Sequence, residues 1–307
     1  MKFELTILGC SSATPTSNRH PTAQVLNILE RFFLIDCGEG TQMQLRKYKV
    51  KMQRINHIFI SHLHGDHYFG LIGLLSSMHL LGRKHSLQIY AHPDLESIIN
   101  LQLKTSDTRL NYPIKFHYLQ FDKSILLLDD LHYSVETIIL KHRIPCCGFL
   151  FKEKPRLKSL RKEKLIEYAV PVSSISDLRE GKDYITPLGE VIPNAVITID
   201  APPPRTYAYC SDTAYDEQIA EQVKEVDLLY HEATFTQELL HRAKETFHST
   251  AAQAATIAAK ANVKKLIIGH YSARYRDIQP LVAEAQNIFS ETVPAIEGEV
   301  YKVIFKG

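Results

Sequence analysis

The tightest constraint in this chain is a run of six residues. His62, His64, Asp66 and His67 fall within Ser61-His-Leu-His-Gly-Asp-His67, directly after the apolar stretch Ile55–Ile60. Along a regular strand His62, His64 and Asp66 would be strung out along one face, about 7 Å apart, and His67 would point to the other. In a turn leaving a buried strand they converge on one point, and Gly65 supplies the backbone freedom such a turn needs. Imidazole and carboxylate together suit zinc, with manganese or iron also compatible. A lone His-x-His is ordinarily chance, whereas four ligand-type side chains at this spacing behind a buried strand form a metal motif.

The fold must therefore deliver strand ends into a polar pocket, as layered α/β architectures do. Phe3, Leu5 and Ile7 alternate with Glu4 and Thr6 in an opening strand. Further strands are expected at Val25–Leu29, Arg31–Asp36, Ile55–Ile60, Leu87–Ala91, Ser134–Leu140, Thr206–Cys210, Asp227–Tyr230, Leu266–Gly269 and Val300–Phe305. Amphipathic periodicity predicts helices at Thr41–Tyr48, Phe69–Leu80, Leu95–Leu103, Asp216–Val223, Thr250–Ala259 and Ile278–Phe289, with Asp94 and Ser249 as N-caps.

One segment breaks this rhythm. From Lys152 to Lys164 seven basic residues face two acidic ones, with Pro155 inside, and the sequence stays polar to Asp183. The stretch 152–187 reads as an insertion protruding from the core; without a partner, such a run is a solvated loop. Net charge over all 307 residues is only +2, so any nucleic-acid contact must come from a local patch of this kind. The five cysteines form no CxxC, which fits a reducing, cytoplasmic setting. Glu4 interrupts what would be a signal peptide's apolar core, and no apolar run is long enough to span a bilayer, so no membrane role is expected.

These residues, with others along the chain, carry a resemblance. HxHxDH is the signature of the metallo-β-lactamase superfamily, and the chain resembles its tRNA 3′-processing branch, the ribonuclease Z family. Asp36-Cys-Gly-Glu-Gly-Thr-Gln42 matches that branch's DCGEGTQ segment, and His142 before Ile144-Pro145 matches its next ligand. Ser211-Asp212-Thr213, His231-Glu-Ala-Thr-Phe235, His248-Ser-Thr250 and Gly269-His-Tyr-Ser-Ala-Arg-Tyr275 match later segments. The resemblance implies a single domain over 1–307, a four-layered αββα metallo-β-lactamase sandwich with the insertion as a tRNA-binding arm. It implies two zinc ions per subunit, one held by His62, His64 and His142 and the other by Asp66, His67 and His270, with Asp212 bridging. Asp66 would also orient the attacking water, Glu232 and His248 would protonate the leaving 3′-oxygen, and Arg274 would hold a phosphate. Arg156, Lys158, Arg161 and Lys162 on the arm would grip precursor tRNA through phosphates, with a homodimer presenting one subunit's arm to the other's site. The implied product ends are a 3′-hydroxyl on the tRNA and a 5′-phosphate on the trailer.

The match has gaps. The arm reads Ala169-Val-Pro-Val-Ser-Ser174 where the family carries Gly-Pro, and Pro15-Thr-Ser-Asn-Arg-His20 lacks the lysine and Arg-Asn pair of the PxKxRN loop linked to 3′-CCA exclusion. Both bear on substrate handling and not on metal binding. The competing functions are a small-molecule phosphodiesterase or arylsulfatase-like hydrolase of the same fold, and a non-catalytic RNA-binding subunit; a glyoxalase-type thioesterase fits less well. The basic run and the Glu232/His248 segments weigh against the first, and seven filled ligand positions against the second.

Overall fold

A computed structural model of the chain describes residues 2–305. Alternation within the first strands decides how they layer. In β1 (Phe3–Gly9), Phe3, Leu5 and Ile7 enter one apolar cluster and Leu8 another. The same split runs through β2 (Ala23–Ile28), β3 (Arg31–Cys37) and β4 (Ile55–Phe59). Leu26, Ile28, Phe33, Ile35 and Phe59 face the first cluster, and Val25, Leu34 and Ile58 the second. With β5 (Leu87–Ala91) and β6 (Ile114–Tyr118) they make a sheet apolar on both faces, which must be covered twice. Helices Thr41–Lys47, Leu71–Leu80 and Asp94–Thr105 cover the outer face with Leu45, Leu71, Leu75, Met78 and Leu95.

A second sheet covers the inner face. It begins with β7 (Leu126–Asp129), β8 (Tyr133–Ile139) and β9 (Cys147–Glu153). The chain then departs through four two-residue strands, β10 (Ser159–Leu160), β11 (Tyr184–Ile185), β12 (Val191–Ile192) and β13 (Thr198–Ile199). It returns as β14 (Thr206–Cys210), β15 (Leu228–Glu232), β16 (Leu266–Gly269) and β17 (Thr292–Pro294). Finally β18 (Val300–Lys302) crosses back to pair with β1, Leu5 opposite Tyr301. The sheets run β18-β1-β2-β3-β4-β5-β6 and β17-β16-β15-β14-β9-β8-β7. Between them Phe59 meets Phe149 at 5.2 Å and Phe33 meets Phe151 at 5.6 Å between ring centroids. Ala254, Ala258 and Leu281, from helices Ala251–Lys260 and Gln279–Gln286, close the far side. The result is the four-layered αββα sandwich.

β3 to β6 are mutually parallel, as are β14 to β17. Parallel strands deliver their carboxyl ends to one edge, and that edge carries the histidine-bearing loops.

Several local expectations need correction. Asp94 does not cap its helix: Pro93 holds that position, and Asp94 lies in the first turn. Ser249 does not cap either; its hydroxyl donates to the Thr213 carbonyl at 2.7 Å, and Thr250 caps instead, in a reciprocal capping box with Gln253. The helix expected from Phe69 starts at Leu71, after a separate turn Gly65–Tyr68. β7, β9 and β17 carry no clear alternation, whereas in β6 Ile114, Phe116 and Tyr118 do alternate with Lys115 and His117; none of the four is among the expected strands. Lys152 and Glu153 belong to β9 rather than to the insertion, and Glu153 is buried against Arg205, with an oxygen–nitrogen distance of 2.8 Å. The excursion between β9 and β14 also continues past Pro187, because the β11–β12 hairpin packs Tyr184 and Ile192 with Leu178 and Ile197 in a small cluster of its own.

Candidate metal centre

Every nominated ligand follows the end of a strand. His62 to His67 follow β4, His142 follows β8, Asp212 follows β14 and His270 follows β16. Three acidic or histidine side chains here sit on left-handed backbone, Asp36 at φ 55°, Asp212 at φ 49° and His270 at φ 58°. Such conformations cost non-glycine residues about 1–3 kcal/mol each and persist where surrounding contacts over-determine them.

The donor atoms form two groups that share one carboxylate. In the first, His64 Nδ1 lies 3.0 Å from His62 Nε2 and 3.1 Å from His142 Nε2. Asp212 Oδ2 stands 3.5 Å from His62 Nε2 and 3.7 Å from His142 Nε2. In the second, Asp66 Oδ2 lies 3.4 Å from His67 Nε2 and 3.3 Å from His270 Nε2. Asp212 Oδ1 lies 3.2 Å and 3.1 Å from the same two nitrogens. Ligands on a tetrahedral zinc with bonds near 2.0–2.1 Å are about 3.3 Å apart, so both groups have the spacing of a coordination shell. His67 Nε2 is buried with no hydrogen-bond partner, an orphan that a cation would satisfy.

The remaining ring nitrogens are held from behind. Asp36 lies 2.7 Å from His67 Nδ1 and accepts from Ser61 N at 2.7 Å and Tyr209 Oη at 2.6 Å. His62 Nδ1 contacts Ser61 Oγ at 3.0 Å, His142 Nδ1 donates to the Phe247 carbonyl at 2.9 Å, and His270 Nδ1 meets Thr234 Oγ1 at 3.1 Å. Such outer contacts fix ring orientation and tautomer. Burial pushes His62 down to about 4, and it lowers His64 and His142 as well, favouring the neutral form that binds metal. His67 is different: burial opposes its protonation, but the carboxylates of Asp212, Asp66 and Asp36 outweigh burial and raise it. Three carboxylates, those of Asp36, Asp66 and Asp212, thus converge on this one ring.

Beside the donors stands a second pair. Glu232, at the end of β15 and fully buried, accepts from Thr213 N at 3.0 Å and from Thr234 Oγ1 at 2.6 Å, and lies 2.7 Å from His248 Nδ1. Burial alone would lower His248; Glu232 overcomes it and raises His248 to about 9. Asp66, Asp212, His64, His142, His248 and His270 border a cavity of about 550 Å³.

The nominated residues outside this cluster are placed as follows. Arg274 is exposed, its Nε donating to Ser272 Oγ at 3.1 Å and its guanidinium 5.1 Å from the Phe235 ring, which in turn faces His248 at 6.2 Å. On the arm, Arg156 pairs with Glu153 at 2.6 Å, Lys158 with Asp200 at 2.9 Å, and Arg161 Nε donates to the Thr198 carbonyl at 3.1 Å. Lys162 is exposed at the start of helix Lys162–Glu167. The sequence reading missed Asp36, Ser61 and Thr234 as supports. Asp36 and Thr234 lie in segments already singled out, and their signal was a polar residue at an otherwise apolar strand's end.

Comparison with known proteins bears on this arrangement. Residues 168–271 match the family described as beta-lactamase superfamily domain, and residues 3–154 match that described as anti-Pycsar protein Apyc1. The chain is 52% identical over 296 residues to Ribonuclease Z of Bacteroides thetaiotaomicron, covering 96% of this chain and 94% of that one. It is 49% identical over 306 residues to Ribonuclease Z of Cytophaga hutchinsonii, covering 99% and 97%. The crystal structure of human tRNase Z, short form, superposes with a TM-score of 0.72 at 29% identity over 98% of this chain and 99% of that one. The metallo-beta-lactamase fold protein YhfI from Bacillus subtilis superposes with a TM-score of 0.69 at 19% identity over 98% of this chain and all of that one, a likeness of fold.

Proposed function

Because this chain belongs to the ribonuclease Z family, we propose that it is a zinc-dependent endoribonuclease that removes the 3′ trailer from precursor tRNA. The observation that carries this reading is the Asp212 carboxylate, divided between two histidine sets beside the buried Glu232–His248 pair.

His62, His64 and His142 would hold one ion, Asp66, His67 and His270 the other, and Asp212 both. A zinc pair bound there supplies charge neutralisation at a phosphoryl group and a lowered pKa for water. The chain's own residues do the rest. Asp66 is engaged through Oδ2 by His67, His270 and the Ala13 N–H, and its carboxylate borders the cavity, where it orients the attacking water. His248 lines the same cavity and holds a proton at neutral pH, because Glu232 stabilises its charged form. It delivers that proton to the departing 3′-oxygen, and Glu232, anchored by Thr213 and Thr234, keeps the ring aimed. Arg274 and the arm's basic residues bind phosphates away from the reacting bond. We extend the proposal to a homodimer acting in the cytoplasm; among the described residues no helix is long and apolar enough to cross a membrane.

Incubation of the purified protein with a 3′-extended tRNA precursor, with the ends mapped, tests the reading. Cleavage just after the discriminator base with a 3′-hydroxyl and a 5′-phosphate is expected. A 2′,3′-cyclic phosphate would sink the hydrolytic mechanism. Preferred turnover of a small phosphodiester over the precursor would turn the assignment to a small-molecule hydrolase.

A further inference from the structure

Phe69 is exposed to 61%, at the border of the same cavity that holds Asp66 and His64. Single exposed aromatics are ordinary, but this one is fixed in place. Its ring lies back over Gly65: a Cβ at Gly65 would come within 2.1 Å of Phe69 Cε2. The Phe69 backbone N–H donates to the Gly65 carbonyl at 2.9 Å, and Tyr68 packs edge-on at 5.0 Å. Gly65 is helical rather than left-handed, so this position needs glycine not for the unusual backbone angles expected of it but for room: it seats a largely exposed aromatic face beside the reacting centre.

The two walls of the cavity stem from different sheets. Asp66 and Phe69 follow β4 of the first sheet, whereas His248 lies beyond β15 of the second. In the hydrolysis proposed above, His248 marks the side of the departing 3′-oxygen, and hence of the tRNA body. Attack and departure take the two apical positions at the phosphorus, so the trailer's 5′-oxygen lies between them and its nucleotide leaves to one side of the His248–Asp66 line; among the described residues bordering the cavity, Phe69 is the one Phe, Tyr or Trp there to meet its base. Resting on that reading, we propose that Phe69 is the stacking platform for the base of the first trailer nucleotide. Stacking on an aromatic face accepts any base, as a variable trailer requires. Leu in its place would keep apolar bulk and lose the flat face.

A precursor tRNA with 2-aminopurine at the first trailer position tests this directly. Its fluorescence is expected to be quenched on mixing with wild-type protein and with Phe69→Tyr, and far less with Phe69→Leu. A substrate abasic at that position completes a cycle. Phe69→Leu and the abasic site are each expected to lower kcat/KM by roughly tenfold, within the range of one base–aromatic stack, and the two together no more than either alone. Quenching that survives in Phe69→Leu, or effects that multiply to about a hundredfold, overturns the assignment while leaving trailer removal intact. Failure of the wild-type protein to cut the intact precursor overturns the tRNA reading and the stacking platform with it.

Discussion

Asp212 shows how much one side chain can be asked to do. Its backbone is left-handed, its Oδ1 accepts from Ser211 Oγ at 2.9 Å, and its two oxygens face different histidine sets. Burial raises its pKa, but His270, His67 and His62 outweigh that and hold the carboxyl well below its usual range. If it bridges two ions, Asp212→Ala should remove both, and elemental analysis should fall from about two zinc equivalents per chain to well below one. Retention of two ions by the variant would exclude a bridging role. A neighbouring substitution separates support from ligation. Asp36 touches His67 only through Nδ1, so Asp36→Asn should weaken metal retention by roughly 10–100-fold, without abolishing the site. Chelator competition measures the difference.

At the scale of elements, the arm separates binding from chemistry. It leaves between β9 and β14, adjacent strands of the second sheet, and packs about its own cluster, so changes on its surface need not reach the cavity. Replacing Arg156, Lys158, Arg161 and Lys162 with alanine should weaken precursor binding and reduce the slope of log K against log salt by about 0.7 to 0.9 per lost phosphate contact. Arg156 is already paired with Glu153 and Lys158 with Asp200, so Lys162 is expected to contribute more to that slope than either. Wild-type affinity and slope in the quadruple variant would return the run to a solvated surface. The arm also shows what the sequence could and could not disclose. The histidine cluster was legible because its ligands are neighbours in the chain behind an apolar strand. β9 was not, because Lys152 and Glu153 read as the start of a charged loop; only their partners Glu136 and Arg205, distant in sequence, make them strand residues. The caps failed likewise, since Ser249 spends its hydroxyl on Thr213 across the site. Asp212 and His270 sit on left-handed backbone far along the chain from the histidine cluster, so their convergence was expected by resemblance alone, and that of Asp36 was not expected.

For the whole molecule, stability should depend on pH through a residue remote from the metal ligands. His57 on β4 lies against Phe33 at 5.6 Å and Tyr90 at 6.0 Å, and burial, helped by His117 and Arg31, lowers it from 6.5 to about 4. Between those values the unfolded chain binds a proton that the folded chain does not. Its contribution to stability is therefore present above about 6.5 and lost as pH falls towards about 4. Urea midpoints of wild type and His57→Phe, compared at pH 7 and pH 5, should diverge, with the variant losing less on acidification. Equal losses would mean that His57 titrates normally in the fold. The sheet order imposes a delay during synthesis. β18 is synthesised nearly three hundred residues after β1, its partner. At synthesis rates of about 5–20 residues per second, that edge waits roughly 15 to 60 s before it is closed. His62 and His270 emerge in the same order, so a nascent chain exposes four of the seven proposed ligands well before the last of them. Any ion caught early must be held by the HxHxDH turn alone.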